Sequence, residues 1–260
     1  MSRFLVTGAT GFIGSAVVRR LRSDGHGVVA PGSRELNLLT ASDDELAELV
    51  DNSGASHCIH CAWYTNRADY LVHEVNRAWL AASLRLVRAC RDIRFVGLGT
   101  CLEHDPEPAT LYAQCKRGLF EALTGDFAWA RVFFVYGPGD RAGRLIPGML
   151  ERFARGEPAG PTFGGLRRDY VHVDDLAAQI VRIANSDLQG AIDVGTGEAP
   201  TLSEIFAAGA AAFGRPELAQ ANDETGDQAR LIQADISRFQ AFIGDPAARS
   251  IDQGLRALVG

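Results

Sequence analysis

The segment TGATGFIG, Thr7 to Gly14, leaves few options for the chain around it. It sets Gly8, Gly11 and Gly14 three residues apart, directly after the apolar run RFLV and at the head of the helical stretch GFIGSAVVRRLRSDG. In a strand–turn–helix unit the first glycine permits a tight turn and the second lets the backbone approach a pyrophosphate. The third allows close contact between helix and strand. The helix start then offers N–H groups and a positive dipole end to phosphates. Glycine spacing alone is weak. Its place in the first strand–turn–helix of an alternating chain gives it weight, and it implies a bound dinucleotide.

The alternation runs on. GVVA reads as a second strand, SDDELAELVDN as a helix capped by Ser42, and SHCIHCA as a strand. A helix follows from about Val75 to Cys90, then RFVGLG as a strand, TLYAQCKRGLFEAL as a helix and FAWARVFFVYG as a single strand. The pattern predicts an α/β chain, a Rossmann-type doubly wound parallel sheet with a small C-terminal substrate-binding lobe. Residues 1–137 form mainly the dinucleotide domain and 138–260 mainly a reduced substrate lobe, with 170–195 returning to the main sheet. Beyond Gly137 the stretches GPGDRAGRLIPGML and RGEPAGPTFGGLRRD have the Gly, Pro and Arg content of ligand-contacting loops.

Composition excludes some classes. A formal charge of −6 argues against a nucleic-acid surface. No apolar run approaches the roughly 20 residues that span a bilayer. A strand begins almost at once after Met1, leaving no room for a signal peptide, so a cytoplasmic protein is expected. The five cysteines, an odd number, suggest no disulfide framework. The HCIHC cluster, His57 to Cys61, lies in a strand-like run whose alternate side chains point to opposite faces. With no complementary Cys/His group downstream, it reads as buried strand residues and not as a metal site.

The dinucleotide's identity turns on the end of the second strand. An acid there would hold a ribose 2′-hydroxyl, as in NAD sites. Here Pro31, Gly32, Ser33 and Arg34 intervene before Glu35. Arg34, helped by Ser33, could pair with a 2′-phosphate, or be a solvated loop residue. The missing acid and the present base both favour NADP(H), with NAD(H) as the alternative.

With these residues in place, the chain resembles the extended short-chain dehydrogenase/reductase family of nucleotide-sugar epimerases, dehydratases and ketoreductases. The resemblance spans about Arg3 to Val259 and rests on TGATGFIG, HCAW, Asn76, GLGT, YAQCK, ARVFFVYGPGD, RRDYVHVDDLA and DVGTGEAPTLSEI. It implies that Tyr112 and Lys116 are the family's Tyr-x-x-x-Lys pair, one helical turn apart on one face. Tyr112 would be the general acid and Lys116 the cation that lowers the phenol's pKa and holds the nicotinamide ribose. Thr100 would hydrogen-bond the reacting oxygen. The resemblance further places Phe12, Ile13, Cys61, Ala62, Trp63 and Phe133 at the cofactor. Tyr64, Phe134 and Arg168 fall to the substrate, Arg168 as a grip on a nucleotide diphosphate or as a structural partner of Asp174 or Asp175.

Departures from the family narrow the reaction. Cys101 and Leu102 stand where sugar 4,6-dehydratases carry Asp and Glu, which argues against dehydration. Cys101 and His104 are only weakly similar to the Cys/His pair of GDP-fucose synthases. Phe134 replaces a frequent asparagine, and a second diphosphate arginine is not evident unless Arg230 serves. The expectation is an NADP(H)-dependent reductase of a keto-deoxysugar nucleotide. The alternatives are a 4-epimerase with tightly bound NAD and a non-catalytic dinucleotide sensor. Dimerisation through Val75–Cys90 and Thr110–Leu123 is implied by the family, though burial within one chain explains their apolar spacing nearly as well.

Overall fold

The computed structural model describes residues 1–66, 68–226 and 231–260. The chain divides into two compact units, Met1–Val132 with Ala177–Ile192, and Phe133–Leu176 with Asp193–Gly260.

The first unit is built on a sheet of order β2-β1-β3-β4-β5-β8. Its strands are β1 (Arg3–Thr7), β2 (Gly27–Val29), β3 (His57–His60), β4 (Arg94–Thr100), β5 (Phe127–Val132) and β8 (Gly190–Val194). The pairs β1–β2, β1–β3, β3–β4 and β4–β5 are all parallel. Every residue of β4 is buried, as expected of a strand covered on both faces. The helices are α1 (Phe12–Ser23), α2 (Asp43–Ser53), α3 (Val75–Ala89), α4 (Leu111–Glu121) and α6 (Val173–Ala184), the last crossing into the other unit. The α2 start is a capping box: Ser42 accepts from the Glu45 amide, and Glu45 accepts from the Ser42 amide. The core joins Leu5, Leu46, Leu86, Leu119 and Trp129.

Arg94 closes this unit from within. It is 7% exposed and donates to the carbonyls of Ile183, Ala184 and Leu188, while Asp126 takes its remaining charge. Three carbonyls and one carboxylate satisfy a cation that burial would otherwise make costly.

The second unit holds β6 (Phe134–Tyr136) and β7 (Tyr170–His172), paired in parallel as a separate two-stranded sheet. The single strand expected over Phe127–Gly137 is thus two, broken at Phe133. Around β6 and β7 stand α5 (Leu145–Ala154), α7 (Leu202–Ala212), α8 (Ser237–Phe242) and α9 (Ile251–Val259). Ile146, Phe153, Ile205 and Leu255 pack with Tyr136 into the second core. Buried Asp169 ties three chain segments together. It accepts from the Thr196 hydroxyl and amide and from the amides of Gly197 and Ala234.

Candidate active site

The glycine loop separates into two kinds of glycine. Gly8 has φ +68°, and a Cβ there would lie 2.6 Å from the Ala62 nitrogen. A Cβ on Gly14 would lie 2.1 Å from the Gly8 carbonyl oxygen. Both are required by the protein's own packing. Gly11 is exposed, and its Cβ would meet only the Gly8 oxygen at 3.2 Å. Gly11 is also the N-cap of α1, where no side chain caps the helix and no acid occupies the first turn. The N–H groups of Phe12 and Ile13, which lack partners within a helix, therefore face an end suited to an anion. These residues fit a dinucleotide pyrophosphate. Ser33 and Arg34 are exposed in the turn after β2, where the Gly32 amide donates to Glu35 Oε2 at 2.7 Å.

Thr100, Tyr112 and Lys116 come together. Thr100 ends β4 and is 7% exposed. Thr110 caps α4 through the Ala113 amide, which sets Tyr112 in the first turn, and the Tyr112 amide donates to the Leu71 carbonyl. The Thr100 hydroxyl acts on the Tyr112 phenol, opposing the rise in its pKa. Lys116 follows one turn later and is 3% exposed. Its Nζ donates to the Leu98 carbonyl at 2.7 Å and lies 3.9 Å from the Trp63 ring centroid. Trp63 is fixed in turn, its indole N–H donating to Asn76 Oδ1 at 2.8 Å. Among 26 Lys and Arg residues, Lys116 is the one lysine of the sequence. That count is a signal the motif reading passes over.

The electrostatics differ from the expectation that Lys116 depresses the tyrosine. Burial raises the Tyr112 phenol above its ordinary range, with Tyr70, Glu103 and Cys101 adding to the rise and the Thr100 hydroxyl opposing it. Lys116 does not offset this: its Nζ is 5.9 Å from the Tyr112 ring centroid, and burial pushes its own pKa down to about 7. A buried ammonium loses hydration whatever its sequence spacing, and spacing alone does not reveal that loss.

A carboxylate the motif reading does not single out completes the site. Glu103, 2% exposed, accepts from the Thr100 amide at 2.7 Å and from Trp129 Nε1 at 2.8 Å. The Trp129 indole lies across β4 where side chains at Gly97 and Gly99 would be. A Cβ on either would come within 2.3 Å of the indole. The GLGT stretch is thus a bed for Trp129. The sequence signal was Thr-x-x-Glu at the strand end, a capping box.

The geometry agrees with comparison to known proteins. Residues 4–195 match the model of the NAD dependent epimerase/dehydratase family. The chain belongs to that family. A UDP-glucose 4-epimerase of Mycolicibacterium smegmatis is 28% identical, covering 99% of this chain and 97% of that protein. That alignment runs over 309 positions against 260 residues here, so the relative has segments this chain lacks. A dTDP-4-dehydro-6-deoxy-D-allose reductase of a Streptomyces species is 25% identical, covering 92% and 90%. The solved structure of MoeE5 in complex with UDP-glucose and NAD superposes with a TM-score of 0.78 at 27% identity, covering 99% and 97%. The family comprises NAD(P)-dependent epimerases, dehydratases and reductases of the extended short-chain dehydrogenase/reductase type, and the Rossmann-like parallel sheet is its fold.

The other expected site residues of this epimerase/dehydratase family member are placed as follows. Cys61, Ala62 and Trp63 follow β3 directly, with Ala62 against Gly8 and Trp63 against Lys116. Burial pushes the Cys61 thiol up to about 12, which makes it a poor acid–base group at neutral pH. Tyr64 donates to Asp69 Oδ1 at 2.8 Å. Cys101 is buried whereas His104 is exposed. In the HCIHC run, His60 bonds Thr7 Oγ1 through Nδ1 and Ser83 Oγ through Nε2, and burial pushes its pKa down to about 3.

Phe133, Phe134 and Arg168 belong to the second unit. Phe133 is buried, and the Phe134 ring lies 5.2 Å from that of Tyr170. Arg168 is 8% exposed and donates to the Arg167 carbonyl at 2.8 Å. Asp175, one of its suggested partners, is held by Arg249 at 2.7 Å. Arg230 lies outside the described residues.

Proposed function

We propose that this protein is an NADP(H)-dependent reductase of a keto-deoxysugar nucleotide. The convergence of Thr100 at the end of β4 with Tyr112 and Lys116, one turn apart on α4, carries the reading. A ketone receiving hydride becomes an alkoxide and needs a proton at once. Burial keeps the Tyr112 phenol protonated at neutral pH, the state a proton donor requires. Thr100 orients the oxygen, and Lys116, one turn along α4, would hold the nicotinamide ribose. When bound, the nicotinamide would supply the hydride; Gly11, Phe12 and Ile13 would hold the pyrophosphate, and Ser33 and Arg34 the 2′-phosphate. Met1–Val132 with Ala177–Ile192 is accordingly the cofactor domain, and the second unit the substrate lobe, in which Arg168 grips a diphosphate and Phe134 contacts the substrate.

Two further features go with this reading. α3 and α4 form a homodimer interface, on which Trp79, Leu80, Leu84 and Phe120 remain only partly buried. The protein works in the cytoplasm, in keeping with its five free cysteines.

A 4-epimerase reading has its own support: the Mycolicibacterium relative is named a UDP-glucose 4-epimerase, and the MoeE5 structure holds NAD. An epimerase would use Tyr112 in both directions and return the hydride. The test is reduced-nicotinamide absorbance with NADPH or NADH and a 4-keto-6-deoxy nucleotide sugar. Sustained NADPH oxidation that Tyr112→Phe lowers by about 10²-fold or more supports the reductase. Isomerisation of a nucleotide sugar without net oxidation replaces it with the epimerase.

A further inference from the structure

Glu103 lies outside the Thr–Tyr–Lys set, yet the site is built around it. Comparison with the chain's other capping boxes isolates what is unusual. Glu45, Glu204 and Gln253 each close a box at a helix start, and all three are exposed. Glu103 does the same for the 3₁₀ turn Cys101–His104 but is 2% exposed. A cap needs only one carboxylate oxygen. The second oxygen of Glu103 receives the Trp129 indole N–H at 2.8 Å and faces Arg131 Nε at 3.7 Å. Arg117 of α4 grips the Glu103 carbonyl, holding the turn down. Moving an ionised carboxylate out of water costs several kcal/mol unless charge and hydrogen bonds compensate. A neutral cap would have served the turn alone.

The charged groups around the two ends of this cluster are few. Glu103 faces Thr100 of β4, Trp129 and Arg131 of β5, and the field of Lys116 on α4. Lys116 faces Trp63, Trp129, Tyr112 and the Leu98 carbonyl, and feels Glu103, Cys61 and His60. Burial pushes the Glu103 carboxyl up as well, opposed by the Trp129 and Thr100 hydrogen bonds and by the charges of Lys116 and Arg131. In its ionised form it is the group here that offsets the dehydration of the ammonium, since burial pushes the Cys61 thiol up to about 12.

We infer that Glu103 is a positioning residue for the reaction: its buried carboxylate fixes the Thr100 main chain beside Tyr112 and supplies the negative charge that keeps the Lys116 amine protonated. The inference deepens the catalytic reading of Thr100, Tyr112 and Lys116 and rests on it. No bond is made or broken at Glu103. It acts through the two groups it holds.

The test uses the chain's single lysine. Full-length protein grown with [13Cε]lysine gives one lysine side-chain signal, whose shift reports Lys116 ionisation without cofactor or substrate. In Glu103→Gln the amine should titrate about half a pH unit or more below wild type, and Glu103→Asp should stay nearer wild type. The basic limb of kcat/KM should move down by the same amount. An unchanged Lys116 titration in a folded Glu103→Gln overturns the inference, as does a uniform fall in activity at all pH values. If the glutamine amide, meeting the Trp129 N–H, prevents folding, Glu103→Gln with Trp129→Phe removes the clash and takes its place against Trp129→Phe alone. Wild type that turns over no nucleotide sugar sinks the catalytic reading, while a shifted Lys116 titration would still sustain the Glu103–Lys116 link.

Discussion

The Lys116 ammonium is seated on the protein itself, 3.9 Å over the Trp63 indole and 2.7 Å from the Leu98 carbonyl. Its direction is thus set before any ligand arrives. A desolvated cation over an indole face gains about 2 kcal/mol. Trp63→Leu should therefore lower the pH at which Lys116 releases its proton by about one unit, since one unit is about 1.4 kcal/mol. The single lysine resonance measures this directly. A rise or no change would show that the ring does not support the charge.

The glycines of the first loop should fail in different ways. Gly14→Ala drives a methyl to 2.1 Å from the Gly8 oxygen, a backbone atom that cannot step aside. Gly8→Ala adds the penalty of φ +68°. Either should abolish folding or lower stability by more than about 3 kcal/mol, measured by urea unfolding. Gly11→Ala meets its neighbour at 3.2 Å and should melt within a few degrees of wild type. Its defect should be in dinucleotide affinity, weakened about tenfold or more in a fluorescence titration.

Arg34 is exposed in its turn, so removing it should leave stability unchanged. Arg34→Ala should weaken NADPH binding about tenfold or more and leave NADH binding nearly intact. Equal loss of both would assign the residue elsewhere.

Buried His60 makes stability depend on acid. The Ser83 hydroxyl donates to the Trp79 carbonyl, so His60 Nε2–H donates to Ser83 and Nδ1 accepts from Thr7, a fully satisfied neutral ring. Its folded pKa of about 3 lies below the ordinary 6.5, so the unfolded chain takes up the proton first. Stability is then full above pH 6.5 and falls as pH drops towards 3. The loss from this group is about 2 kcal/mol between pH 7 and pH 5. His57 and His172, also lowered by burial, act in the same direction. His60→Asn should be less stable at pH 7 and show a shallower fall to pH 5 in urea unfolding. An equally steep fall would contradict the assignment.

The parts legible in the sequence were those whose signal is local. TGATGFIG declares a strand–turn–helix, and Tyr112 with Lys116 needs only one helical turn. The break at Phe133 has no such signal, because FAWARVFFVYG is apolar throughout and a strand that leaves one sheet for another keeps its composition. The Glu103 site was half legible. Its Thr-x-x-Glu box stands in the sequence, but the bed for Trp129 exists only because β4 and β5 pair with Gly97 opposite Trp129. The raised phenol of Tyr112 was hidden altogether, since burial belongs to the assembled fold.

The Arg94 clamp carries a consequence for how the chain is made. Synthesis delivers β4 long before Ile183, Ala184 and Leu188, the carbonyls Arg94 needs. Until the ribosome has passed residue 188, the first unit holds a guanidinium it cannot bury and a sheet edge at β5 it cannot cover. The N-terminal half is therefore expected to wait, incompletely folded, while the intervening Phe133–Leu176 segment emerges. A chain stopped at Val132 should stay aggregation-prone, and one extended to Ile192 should bring native amide protection to β4 in hydrogen exchange.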